Sequence, residues 1–248
     1  MDKADKHATS KLGTLLVENR MAKILELVLV FVLATSFILL FLEKNGENLL
    51  RNQFVLWLAN VFMLLWVWAG LKLRGEDCGH LGLYFKIPTA KEALINVGLS
   101  LVVFVLAMLG FVIGSIIMAN ITGIPEPSDM SAYDYLKDNI GLLLLSLLGI
   151  YIVSSFGEEV VYRGFLITRI TELVGNTKWG RVIAVLISAV IFGFAHYGWG
   201  PMGIVQTFFM GLALGICYLW LKRKLWILIL AHAYMDTILI LQLYFSGS

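Results

Sequence analysis

Charge is scarce in this chain. Only 15% of its 248 residues are Asp, Glu, Lys or Arg, against 59% hydrophobic residues, and the mean hydropathy is +0.85. Soluble domains carry roughly a quarter charged and about half apolar residues. A chain of this length leaves too much surface in water to hide such an excess in a core. A soluble globular enzyme is therefore excluded, and so is a disordered chain. Cysteine is nearly absent: Cys78 and Cys217 make no C-x-x-C pair and no disulfide framework, and read as small apolar residues. The net charge of +2 is too small to suggest a nucleic-acid partner. The zinc-protease signature H-E-x-x-H is missing, as are internal repeats and low-complexity linkers. No signal-peptide pattern opens the chain. The first apolar run begins near Ile24, is too long for an h-region, and reads as a retained span.

What is present is a series of long apolar runs. A helix needs about 20 such residues to cross hydrocarbon, where every backbone polar group must be satisfied within the segment. Candidates are 24–42, 54–71, 94–118, a run from 140 through 156 that continues into Glu158-Glu159, then 182–197, 203–221 and 225–244. The expectation is an all-α polytopic membrane bundle of seven helices, or eight if 72–92 or 125–139 hides a half-helix, forming a single membrane domain over 1–248. Sixteen of the 19 Lys and Arg fall on one side of this arrangement; Lys44, Arg51 and Lys137 fall on the other. That bias predicts a cytoplasmic N-terminal segment, 1–23, and a C-terminus outside. Gly110-x-x-x-Gly114 and Gly211-x-x-x-Gly215 read as close helix packing.

Ionisable groups inside spans are costly and usually functional. Glu26 lies within a turn of the first span's end, beside Lys23, and reads as an interfacial residue; His7 and His80 fall in polar segments. Six groups remain: Glu158, Glu159, Arg163, His196, His232 and Asp236. Glu159 and Arg163 are four apart and can pair on one helix face, leaving Glu158 about 100° away. Alone, this cluster is equally well the wet end of span four. Antiparallel geometry adds to it. Glu158 and His196 each lie 19 residues from Thr177, in the turn Gly175-Asn176-Thr177 between spans four and five. Equal distance from the turn means similar depth, about 20 Å from it. His232 and Asp236 share a face of the last span.

A carboxylate with two imidazoles suits activation of water, the carboxylate serving as general base. The same side chains, Glu158, His196, His232 and Asp236, suit a divalent metal, zinc first, whose bound water would be the nucleophile. Both readings stand on the residues alone. Glu158-Glu159-x-x-x-Arg163, Phe192-x-x-x-His196 and His232-x-x-x-Asp236 resemble, in order, the three motifs of the CPBP family, which includes CAAX prenyl proteases and bacteriocin-processing, Abi-like proteins. The resemblance covers roughly 140–245 and makes that stretch the catalytic helix core. It implies an intramembrane endopeptidase of glutamate or metalloprotease type, acting on a membrane-associated peptide or protein among membrane lipid. A bacterial cell membrane is the expected location. In its terms Glu158 activates water with His196, His232 and Asp236 bind a metal or stabilise the oxyanion, and Glu159 with Arg163 braces the site. An ionised Asp236 cannot donate to an oxyanion, which leans the sequence reading toward a metal-assisted variant. Two other classes compete: a non-enzymatic immunity or scaffold protein on the same fold, and a proton-coupled transporter.

Overall fold

A computed structural model describes residues 10–43, 48–123 and 131–245. The tail bearing Lys3, Lys6 and His7, and the loop residue Lys44, lie outside the described residues. The described residues are helical, with no strand among them. Helix α1 (Lys11–Glu18) is short. Seven helices long and apolar enough to cross a membrane follow: α2 (Arg20–Phe41), α3 (Leu49–Arg74), α4 (Ala90–Thr122), α5 (Ile140–Val174), α6 (Lys178–Ala195), α7 (Gly200–Trp220) and α8 (Leu225–Phe245). The protein is an integral membrane protein by length and apolarity of these helices. Each predicted span coincides with one of them, displaced by a few residues at its ends, except that the fourth, expected through Phe156 and into Glu158-Glu159, runs on to Val174. Helix α1 is absent from the prediction because eight residues are too short for a span.

Local sequence explains the boundaries. Asn19, Asn48, Asn139 and Thr177 accept backbone N–H groups at the starts of α2, α3, α5 and α6, satisfying donors a helix start leaves open. Thr89 and Glu92 form a reciprocal capping box at the start of α4. Gly75, at φ 70°, closes α3 in the left-handed conformation that glycine adopts without penalty.

The helices assemble around α5. Its middle, Tyr151–Leu166, is π-helical, flanked by α-helical Ile140–Ile150 and Ile167–Val174. The π segment packs on α3, α6 and α8 and buries Val161, Phe165 and Leu166 almost completely. Many outward apolar side chains, such as Leu40, Leu94 and Leu144, are exposed as lipid contact requires. Helices α4 and α7 touch most closely: a Cβ on Gly110 would come within 2.6 Å of the Phe209 carbonyl, and one on Gly114 within 2.9 Å of Gln206 Cα. The first glycine pair is thus a packing device, as its spacing implies.

Glu26 departs from the interfacial reading. It is only 4% exposed and ion-pairs with Arg74, itself 1% exposed, at the far end of α3. The α2–α3 hairpin brings these chain-distant groups together. Gly70 makes the room, since a Cβ there would sit 2.5 Å from Glu26 Oε1.

Candidate active site

Two helices build the centre of the site. The π segment of α5 carries Glu158, Glu159 and Arg163; α8 carries His232 and Asp236. Glu159 is fully buried, and its Oε1 accepts hydrogen bonds from Arg163 Nη1 and His232 Nδ1, each at 2.8 Å. The i,i+4 pair predicted from the sequence is therefore formed, and it reaches across to the last helix. Arg163 is braced from its other side, its guanidinium 4.2 Å above the centre of the Phe192 ring. Gly211 on α7 allows that stacking. A Cβ there would lie 2.9 Å from Phe192 Cδ1 and 3.4 Å from Arg163 Nη2.

A carboxylate oxygen only accepts, so the bond to Glu159 puts a proton on His232 Nδ1 and leaves Nε2 as the working face of the ring. Nε2 lies 3.9 Å from Glu158 Oε2 and 3.7 Å from Asp236 Oδ1. Asp236 is oriented in turn by Ser155 Oγ, which donates to its Oδ2 at 2.7 Å. Glu158 Oε2, Glu159 Oε2 and Arg163 Nη2 are buried and find no hydrogen-bond partner in the protein. An unpaired buried polar atom costs about 1–3 kcal/mol. Three of them on neighbouring residues of one helix leave hydrogen-bonding capacity that water or a substrate amide would satisfy.

His196 stands one ring away from this group. It ends α6 with φ −96° and ψ 25°, in the sparsely populated bridge region. Its Nδ1 donates to the Phe192 carbonyl at 2.9 Å, so Nε2 is left as the acceptor. Phe192 touches both imidazoles, with ring centres 4.8 Å from His196 and 6.4 Å from His232. No hydrogen bond or ion pair joins His196 to Glu158 among the described residues. Five of the six expected residues thus form one bonded or near-bonded group, and the sixth shares its aromatic wall.

Tyr133 was not foreseen. It lies in a 3-10 turn, Ser131–Leu136, that packs on α3, α5 and α8. Burial pushes its phenol up to about 12, and Tyr135, Asp236 and Glu158 push the same way. The phenol therefore keeps its proton at physiological pH and is a hydrogen-bond donor in the field of Asp236 and Glu158. No spacing signal marks it in the sequence.

Carboxylates and imidazoles are the right donor types for zinc. Glu158, His196, His232 and Asp236, however, do not supply three ligand atoms within 4.8 Å of one another. Among the described residues Glu76, His80 and Glu172 do, and by geometry that trio could hold an ion. Both of its carboxylates already pair with Arg169, at 2.5 and 2.9 Å.

Residues 140–238 match the family model described as "Rce1-like: Type II CAAX prenyl endopeptidase Rce1-like". The matched stretch contains all six site residues. Over this stretch the chain is similar to that family, in agreement with the three ordered motifs. No curated protein and no solved structure matches the chain.

Proposed function

We propose that this chain, similar over residues 140–238 to the type II CAAX prenyl endopeptidases, is an intramembrane endopeptidase whose general base is Glu158. One observation carries the reading. His232 is clamped through Nδ1 by Glu159, so that its Nε2 faces Glu158 and Asp236, with Glu158 Oε2 buried and free of hydrogen bonds.

Glu158 takes a proton from water, and the resulting hydroxide adds to the scissile carbonyl. His196, with Nδ1 committed to a backbone carbonyl, offers a Nε2 lone pair to hold that water. The oxyanion needs donors. Ionised Asp236 cannot serve; the imidazolium form of His232 can. Asp236 then orients His232. Collapse of the tetrahedral intermediate breaks the C–N bond, and Glu158 returns its proton to the leaving amine. Glu159 and Arg163 position the imidazole and touch no reacting atom.

The steps above use protein groups alone, since Glu158, His196, His232 and Asp236 do not bring three ligand atoms within 4.8 Å of one another. The substrate class is a membrane-associated peptide or protein, reached among membrane lipid, with the N-terminus of the chain in the cytoplasm and a bacterial cell membrane as the setting. Comparing membrane-derived peptides from cells with the active protein and with Glu158→Ala tests the proposal. Peptides lost in the variant are the expected result, and undiminished cleavage by a folded Glu158→Ala overturns it.

A further inference from the structure

At the Lys- and Arg-rich end of the bundle, away from Glu158, lies a cavity of about 690 Å³. Its walls come from the start of α2, the end of α3, the end of α5, the start of α6 and the turn after α7. All of these are helix ends, so the cavity sits where the bundle meets the lipid headgroups. Five cations face it, Lys23, Arg74, Arg181, Lys222 and Arg223, against one carboxylate, Glu172.

Which of those charges are matched decides what the cavity binds. Arg74 is matched by buried Glu26. Glu172 is matched by Arg169 at 2.9 Å and meets His80 at 3.1 Å. Lys23, Arg181 and Lys222 make no ion pair among the described residues. Arg223 is held only by neutral groups: Nη2 donates to the His80 carbonyl at 2.7 Å and to Thr168 Oγ1, and Nε donates to Tyr218 Oη at 3.0 Å. Its placement is built into the backbone. Lys222 and Arg223 both have positive φ, 54° and 65°, a conformation that side-chain-bearing residues seldom adopt and that costs stability. Among the described residues, four cations without carboxylate partners converge on one cavity, one of them fixed in a strained turn. The cavity far exceeds a bare phosphate, and apolar Val17, Ile167 and Leu219 share its lining.

From this arrangement we infer a binding site for a phosphate ester, of the size and polarity of an anionic phospholipid headgroup. The site is separate from the hydrolytic centre and does not depend on its chemistry. Arg223 is the fixed contact, through the Nη1 that its bonds to His80, Thr168 and Tyr218 do not use, and half-buried Lys23 with exposed Arg181 and Lys222 supplies charge at the rim.

The test uses the full chain in nanodiscs of phosphatidylcholine, with and without phosphatidylglycerol. Bound lipid is read by native mass spectrometry and the unfolding midpoint by thermal scan. The wild type is expected to retain phosphatidylglycerol and to unfold at a higher temperature with it. A triple variant, Lys23→Gln, Arg181→Gln and Lys222→Gln, is expected to bind on the order of 100-fold more weakly, roughly fivefold for each cation removed near the surface. A control, Lys86→Gln, Lys91→Gln and Lys178→Gln, removes equal charge from the same end outside the cavity, and is expected to bind as wild type. Inorganic phosphate supplies the second arm. Retention of the lipid against millimolar phosphate identifies a headgroup; a midpoint rise with phosphate alone, lost in the triple variant, identifies a soluble phosphate. Equal loss in the control, or no selectivity in the wild type, overturns the site.

Discussion

Adjacent glutamates, Glu158 and Glu159, should separate cleanly when each is replaced by alanine. Glu159 is fully buried and is the shared acceptor of Arg163 and His232. Its removal strands the Arg163 guanidinium, 1% exposed, without a counter-charge. Breaking a buried pair from one side costs about 3–5 kcal/mol. At about 2–4 °C per kcal/mol for a chain of this size, the unfolding midpoint should fall by roughly 6–20 °C. Glu158 is the opposite case. Its Oε2 is buried with no hydrogen bond and only a loose 3.9 Å contact to His232 Nε2, so alanine should leave stability within about 1 kcal/mol of wild type, or higher. Cleavage should nonetheless fall by about 10²–10⁴-fold or more with the base gone. Thermal unfolding in detergent and cleavage of a membrane-anchored reporter in proteoliposomes provide the two readouts. Adding Arg163→Met to Glu159→Ala should recover much of the lost midpoint without recovering cleavage. The reasoning fails if Glu158→Ala unfolds as early as Glu159→Ala, or if Glu159→Ala is as stable as wild type.

Three further outcomes follow. Gly211→Val should push Phe192 off Arg163 and lower cleavage together with stability by about 1–3 kcal/mol, the usual cost of overpacking; wild-type values for both would sink the packing account. Glu26→Ala should destabilise by about 3–5 kcal/mol, and Glu26→Ala with Arg74→Met should be near neutral; calorimetry of the two variants reads the difference. Because the site donors are not gathered as ligands, cleavage should survive prolonged chelation, and elemental analysis should find zinc well below one per chain; activity lost on chelation and restored by zinc would recast Glu158, His232 and Asp236 as metal ligands.

Much of this molecule was legible before its structure because the membrane enforces one strong rule. Each run of about 20 apolar residues has to satisfy its own backbone, so hydropathy alone locates the helices. Within them a charge stands out, and spacing of four residues reports a shared face, as for Glu159 with Arg163 and His232 with Asp236. What stayed hidden depends on contacts between distant parts of the chain. Glu26 and Arg74 are 48 residues apart, and Arg169 and Glu76 are 93 apart; no period links them. Glu26 looked interfacial because its chain neighbour Lys23 was visible and its spatial neighbour was not. Tyr133 sits in a turn with no periodic pattern, and the match between His232 Nδ1 and Glu159 needed two helices at a definite rotation. The depth argument put His196 in the right region but could not show that Phe192 stands between it and the other imidazole.

The π-helical stretch of α5 bears on how such a site arises and how it is lost. Hydrogen bonds from i to i+5 make the turns of Tyr151–Leu166 hold more residues than an α-helix would. The segment therefore carries chain in surplus, and gain or loss of single residues becomes the change that matters most. Deleting one residue between Tyr151 and Glu158 would turn everything on one side of the cut relative to the other by most of the ~100° that a residue spans in an α-helix. Ser155 and the pair Glu158 and Glu159 could not then all keep their partners on α8, although every functional side chain would still be encoded. Length in this stretch is as much a determinant of the site as identity, and sequences that keep all three motifs but differ by one residue here are expected to hold the fold without the site.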